Sequence, residues 1–260
     1  MDVIIFGGQS NMQGCTGSLP QENPPVQNAW EYRWKSGELI PLQHPVGEDV
    51  REEVWLAAAS EMGGSLLPDF CRAYLRETGR EVIAVHAAKG STTIAEWLYG
   101  TQRYYYTVKK GLGAIQKAKD LGRLGHVYYV WLQGESDALI DTTEQEYLER
   151  LISLKNRLKK DLQIEKFGII KVGHFFPASA REPGPLQEAH KKKNEAIMRA
   201  QSEAATIDSD FIMLTEVCPS LSLEREYINE KAPGHYNNAG MKIIGELAGK
   251  ALADLCSNKG

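Results

Sequence analysis

Val3-Ile4-Ile5-Phe6-Gly7-Gly8-Gln9-Ser10 opens the chain and decides how the rest is read. Four consecutive apolar residues without polar alternation fit a buried strand, and the glycine pair ends it. Working outward, four more such segments follow: residues 81–88 (EVIAVHAA), 126–133 (HVYYVWLQ), 167–175 (FGIIKVGHF) and 211–217 (FIMLTEV). Helical patterns lie between them. Residues 66–78 stop at Gly79 and residues 107–121 at Gly122, glycine being the favoured residue just past a helix end. Residues 143–160 repeat Tyr147, Leu148, Leu151, Leu154 and Leu158 at helical spacing, residues 186–205 form a polar-faced helix, and residues 237–255 carry Met241, Ile244, Leu247 and Leu252 on one side. Strands alternating with helices predict an α/β fold with a parallel sheet covered on both faces.

A chain of 260 residues is long enough to bury a full core without disulfides or metals. We expect one domain over residues 1–260. Its rhythm breaks only at about residues 14–57, where Pro20, Pro24, Pro25, Pro41 and Pro45 accompany Trp30 and Trp34. An insertion directly after the first strand falls at the carboxyl edge of the sheet, where open α/β sheets bind ligands. It reads as a substrate loop, or else as an excursion packed on the side of the domain.

The formal net charge of −4 gives no general basic field for nucleic acid, and Lys191-Lys192-Lys193 reads as a solvated helix face. No apolar stretch of membrane-spanning length occurs, and MDVIIFGGQS lacks the basic region and cleavage site of a signal peptide. A cytoplasmic place is therefore expected. Cys15, Cys71, Cys218 and Cys256 are far apart, which excludes a CxxC motif, and no paired histidine spacing suggests zinc.

Three segments bring chemistry to one edge. In Gly7-Gly8-Gln9-Ser10-Asn11-Met12-Gln13-Gly14 a serine follows the first strand directly; by itself this is equally a glycine turn capped by a serine. Trp131-Leu132-Gln133-Gly134-Glu135-Ser136-Asp137 ends the third apolar strand with an amide donor and two carboxylates. Ala232-Pro233-Gly234-His235 precedes the last helix. A parallel sheet would gather all three, supplying a nucleophile, an amide donor for an oxyanion and a base for acyl transfer.

GQSNMQG (8–14), WLQGESD (131–137) and HYNNAG (235–240), with KGSTTIAEW (89–97) after the second strand, resemble the blocks of SGNH hydrolases. Within these they are most similar to the sialate O-acetylesterase and acetylxylan-esterase-like carbohydrate esterases. The resemblance spans the whole domain. It implies a three-layer α/β/α sandwich around a five-stranded parallel sheet, flavodoxin-like, with no metal or organic cofactor. Ser10 would attack the ester carbonyl and His235 would be its base. The Ser10 and Gly90 N–H groups and the Gln133 side chain would form the oxyanion hole, with Gln9 and Asn11 beside them in the substrate-binding set. Trp97 is the preferred pocket wall.

The sequence departs from the family pattern twice. Ser91 stands where a second glycine is common, and Ala232 stands where an aspartate three residues before the histidine usually orients the ring. Glu135 is the favoured replacement; Glu226, Glu230, a backbone carbonyl, or loss of activity in a degenerate sugar-binding domain are the alternatives. His86 and His174 read as packed or hydrogen-bonded edge residues. The expected substrate is an acetylated carbohydrate, of sialic acid or xylo-oligosaccharide type, with lipid or aryl esters as the alternative.

Overall fold

The computed structural model describes residues 1–48 and 63–257. β1 (Asp2–Gly8) is buried along its whole length because it is the middle strand of seven. Its side chains from Val3 to Phe6 are fully enclosed, each worth roughly 1.5–3 kcal/mol of transfer free energy. β1 lies between β4 (Val82–His86) and β5 (Val127–Leu132), parallel to both, with Ile5 opposite Val85 on one side and Tyr129 on the other. β6 (Lys166–Ile170) and β7 (Phe211–Thr215) continue the sheet in parallel beyond β5. On the other side stand β2 (Ala29–Arg33) and β3 (Glu38–Pro41), giving the order β3-β2-β4-β1-β5-β6-β7.

The α-helices among the described residues are α1 (Ser10–Gln13), α2 (Leu67–Thr78), α3 (Gln102–Asp120), α4 (Glu135–Leu139), α5 (Glu144–Leu162), α6 (Pro185–Ile207), α7 (Cys218–Leu221) and α8 (Asn238–Ser257). α2 packs along α8, while α5 packs against both α3 and α6. α5 starts at a capping box, Thr143 with Glu146, and α3 at Thr101, whose hydroxyl accepts the Tyr104 N–H. The three-layer α/β/α arrangement is the expected one. Among the described residues, no helix is long and apolar enough to cross a membrane.

The five-stranded count is corrected to seven. The two additional strands come from residues 14–57, which looked aperiodic. β2 joins β4 in parallel over three residues, and β3 folds back antiparallel on it, with Trp30 opposite Pro41. Both strands are short and partly exposed, so they lack the apolar run that marks the inner strands. Residues 49–57 of the expected insertion lie outside the described residues. β6 ends at Ile170, earlier than expected, and residues 171–175 leave the sheet.

Candidate active site

Ser10 stands at the carboxyl end of the central strand because the chain turns sharply there. Gly8 has φ of +140°, and a Cβ on it would sit 2.0 Å from the Leu132 carbonyl oxygen. Only glycine fits that approach. The Gln9 N–H then bonds to the same Leu132 oxygen at 3.1 Å, and Ser10 begins α1.

His235 arrives from the other end of the chain. Its loop folds on itself: the Asn229 N–H donates to the His235 carbonyl at 2.8 Å and the His235 N–H to the Ala232 carbonyl at 3.1 Å. The imidazole Nε2 is 2.8 Å from Ser10 Oγ, and Nδ1 is 3.0 Å from the Ala232 carbonyl oxygen. A carbonyl only accepts, so Nδ1 holds the proton and Nε2 offers its lone pair to the serine hydroxyl. The Phe175 ring meets the imidazole edge-on, with centroids 5.7 Å apart. The Ala232 backbone carbonyl thus accepts the Nδ1–H hydrogen bond that an aspartate would accept.

Glu135 does not orient the ring. Its Oε1 accepts from Asn11 Nδ2 at 2.7 Å, while Oε2 is buried without a hydrogen-bond partner. Burial pushes the carboxyl above the usual range, against the pull of the Asn11 bond. Nor does Glu226 or Glu230 bond to the ring among the described residues. The physical reason is reach: Glu135 opens α4 beneath Asn11, and the Asn11 carboxamide stands between it and the histidine loop. That carboxamide also donates to the Gly234 carbonyl at 3.4 Å and accepts the Tyr236 N–H at 3.2 Å. The residue next to the serine therefore grips the backbone on both sides of His235. Asn11 is 2% exposed, with its carboxamide engaged inside the protein.

Gln133 is likewise corrected. It is fully buried, and its Nε2 donates to Thr92 O at 2.8 Å, Asp137 Oδ2 at 2.6 Å and Gln9 Oε1 at 3.2 Å. Its Oε1 accepts from the Tyr147 hydroxyl at 3.1 Å. Both amide hydrogens are engaged, so none is left for an oxyanion. Gln9 belongs to the same buried knot, its Oε1 also receiving the Ser136 N–H at 3.1 Å. Asp137 takes the Ile94 N–H at 2.8 Å, which ties the loop after β4 to α4. Trp97 is not a pocket wall: it is 1% exposed, packs edge-on against Trp131 and donates to Thr92 Oγ1.

Gly90 does lie against the serine. A Cβ at residue 90 would be 3.4 Å from Ser10 Cβ, and the Gly90 N–H donates to Gln13 Oε1. Ser91, in the place of a second glycine, takes the left-handed conformation with φ of +58°, which explains why glycine suits that position. His86 bonds to the Gln13 carbonyl and His174 to Ser222, as edge residues. Phe175 and Gln13 went unread in the sequence, since a lone aromatic and an amide beside a motif carry no periodic signal.

The central strand of a mostly parallel sheet thus brings a serine hydroxyl to a histidine ring at the carboxyl edge of the sheet. Solved structures bear out the fold. A protein from Arabidopsis thaliana superposes with a TM-score of 0.67 at 18% identity, over 99% of this chain and 98% of its own. A carbohydrate acetylesterase from Xanthomonas citri superposes with a TM-score of 0.58 at 16% identity, over 97% of this chain and 57% of its own. No curated protein shows significant sequence similarity. The family model for carbohydrate esterases, sialic acid-specific acetylesterase, matches residues 1–225, and the chain belongs to that family. The match includes Ser10 and ends before His235.

Proposed function

We propose that this protein is a serine esterase that removes O-acetyl groups from carbohydrates through an acetyl-enzyme on Ser10. The observation that carries the reading is the 2.8 Å approach of Ser10 Oγ to His235 Nε2, with Nδ1 anchored on Ala232 O. In the first half-reaction Nε2 takes the hydroxyl proton as Oγ attacks the acetyl carbonyl. The Ser10 and Gly90 N–H groups are the candidate oxyanion donors. For Gly90 this means that the oxyanion replaces the Gln13 oxygen as acceptor. The tetrahedral intermediate collapses, His235 returns the proton to the departing sugar oxygen, and Ser10 retains the acetyl group. Water, deprotonated by His235, then attacks the acetyl carbonyl; the bond to Oγ breaks, acetate leaves and His235 returns the proton to Ser10 Oγ. A carbonyl in place of a carboxylate fixes the productive tautomer but gives the imidazolium less stabilisation. Glu135 and Asn11 act as positioning residues for the histidine loop.

Family membership supports acetylated sugars over lipid esters. The test is acetate release by the purified protein from acetylated xylo-oligosaccharides, O-acetyl sialic acid and a long-chain acyl ester. Turnover of at least one acetylated sugar above the acyl ester is expected. Preference for the long-chain ester, or no release from any sugar, would overturn the reading.

A further inference from the structure

A cleft of about 470 Å³ lies between residues 20–24, α2 and the first half of α8. Asn238 and Ala239 on its wall follow His235 by three and four residues. His44 is built into it. The Asn23 side chain holds the His44 backbone at both ends, donating to its carbonyl at 2.7 Å and accepting its N–H at 3.0 Å. The ring is held too: the Ser65 N–H donates to Nδ1 at 3.2 Å. An Nδ1 that accepts places the imidazole proton on Nε2. His44 is 6% exposed, and among the described residues that Nε2–H has no acceptor. Burial and the Arg72 charge lower its pKa to about 4, so at neutral pH the ring is an uncharged donor.

The charges around it decide what the donor would meet. Among the described residues, Glu22, Asp69 and Glu246 line the cleft with Arg72 and Lys242, three carboxylates against two cations. Arg72 is paired with Asp69. Glu22, Glu246 and Lys242 form no ion pair or hydrogen bond among the described residues and remain available to a ligand. A carboxylate-bearing sugar would bring its charge into a cleft already net negative. Hydroxyl groups satisfy both kinds of partner: they donate to Glu22 and Glu246 and accept from Lys242 and His44 Nε2–H.

We propose that this cleft is a binding subsite for uncharged sugar units of an oligosaccharide and that it disfavours anionic sugars. Its use during deacetylation rests on the esterase reading; the binding does not. It narrows the substrate to a neutral acetylated oligosaccharide, with the acetylated unit at Ser10 and a neighbouring unit in the cleft.

The experiment uses the Ser10→Ala full chain, labelled with ¹⁵N-histidine, titrated with xylotetraose and separately with sialyllactose. The His44 Nε2 signal, assigned by its loss in His44→Gln, is expected to shift saturably with xylotetraose, and at least tenfold more sialyllactose should be needed for any response. Lys242→Met/Glu246→Gln should weaken xylotetraose binding at least fivefold while the variant keeps the thermal unfolding curve of the parent protein. No His44 response to xylotetraose, an equal or stronger response to sialyllactose, or binding indifferent to the double substitution would each overturn the proposal. An unreactive parent protein would instead count against the esterase reading, because the titration needs no turnover.

Discussion

Asn11→Ala separates the grip on the histidine loop from the chemistry. The substitution deletes the donor to Glu135 Oε1 and the bonds to Gly234 O and Tyr236 N–H, and it leaves a buried carboxylate whose other oxygen already lacks a partner. Removing one partner of a buried charge costs about 3–5 kcal/mol. At roughly 2–4 °C per kcal/mol for a chain of this size, Tm should fall by about 6 °C or more. The loss should depend on pH. Burial raises the folded-state pKa of Glu135, and losing the Asn11 bond raises it further. A carboxyl whose folded pKa exceeds its unfolded value of about 4.3 lowers stability as pH rises from the unfolded pKa through the folded one. The Asn11→Ala deficit is therefore largest at pH 8 and shrinks toward pH 5. Glu135→Gln removes the charge and keeps an oxygen for Asn11, so Asn11→Ala/Glu135→Gln should recover more than about 1 kcal/mol relative to the sum of the single variants. The assay is urea unfolding at pH 5 and pH 8 for the four proteins, with p-nitrophenyl acetate kinetics beside it. Loosening the base should cost about 10-fold or more in kcat. Additive, pH-independent deficits with unchanged kcat would refute the clamp.

Gln133→Ala should cost about 1–3 kcal/mol of stability, since it removes a bond from buried Asp137 and leaves Thr92 O without its amide donor, while the Tyr147 hydroxyl keeps its bond to the residue 133 carbonyl and kcat of the folded fraction stays within about tenfold. A fall in kcat of about 100-fold or more at unchanged Tm would restore Gln133 as an oxyanion donor. Asp2→Asn tests the other end of the sheet. Burial alone would raise the Asp2 carboxyl, but bonds from Arg80, the His126 N–H and Tyr74 outweigh it and hold the pKa below its usual range. Its contribution is present above the unfolded pKa and is lost as pH falls through the folded one, so the variant should be less stable at pH 7 and the gap should close below about pH 4. A gap constant from pH 7 to pH 3 in unfolding curves would contradict that.

The inner strands were legible because a strand buried on both faces is apolar throughout, as the run from Val3 to Phe6 is. β2 and β3 were not, because an edge hairpin is half solvated and its residues, AWEYR and ELIP, obey no strong pattern. The meeting of Ser10 with His235 was legible, because both stand in blocks that a parallel sheet gathers at one edge. The roles of Gln133, Glu135 and Asn11 were not, because an amide or carboxylate serves equally as a donor to substrate and as a tie between loops. Burial distinguishes the two uses, and burial is a property of the folded chain. Ala232 shows the limit most plainly, since the atom that matters there is a backbone oxygen that every residue possesses.

The most direct test of the serine mechanism compares p-nitrophenyl acetate hydrolysis by the protein and by Ser10→Ala at equal concentration. The account predicts a fall in kcat of about 1,000-fold or more for the variant, as expected when a serine nucleophile is removed. Equal rates for the two proteins would contradict it.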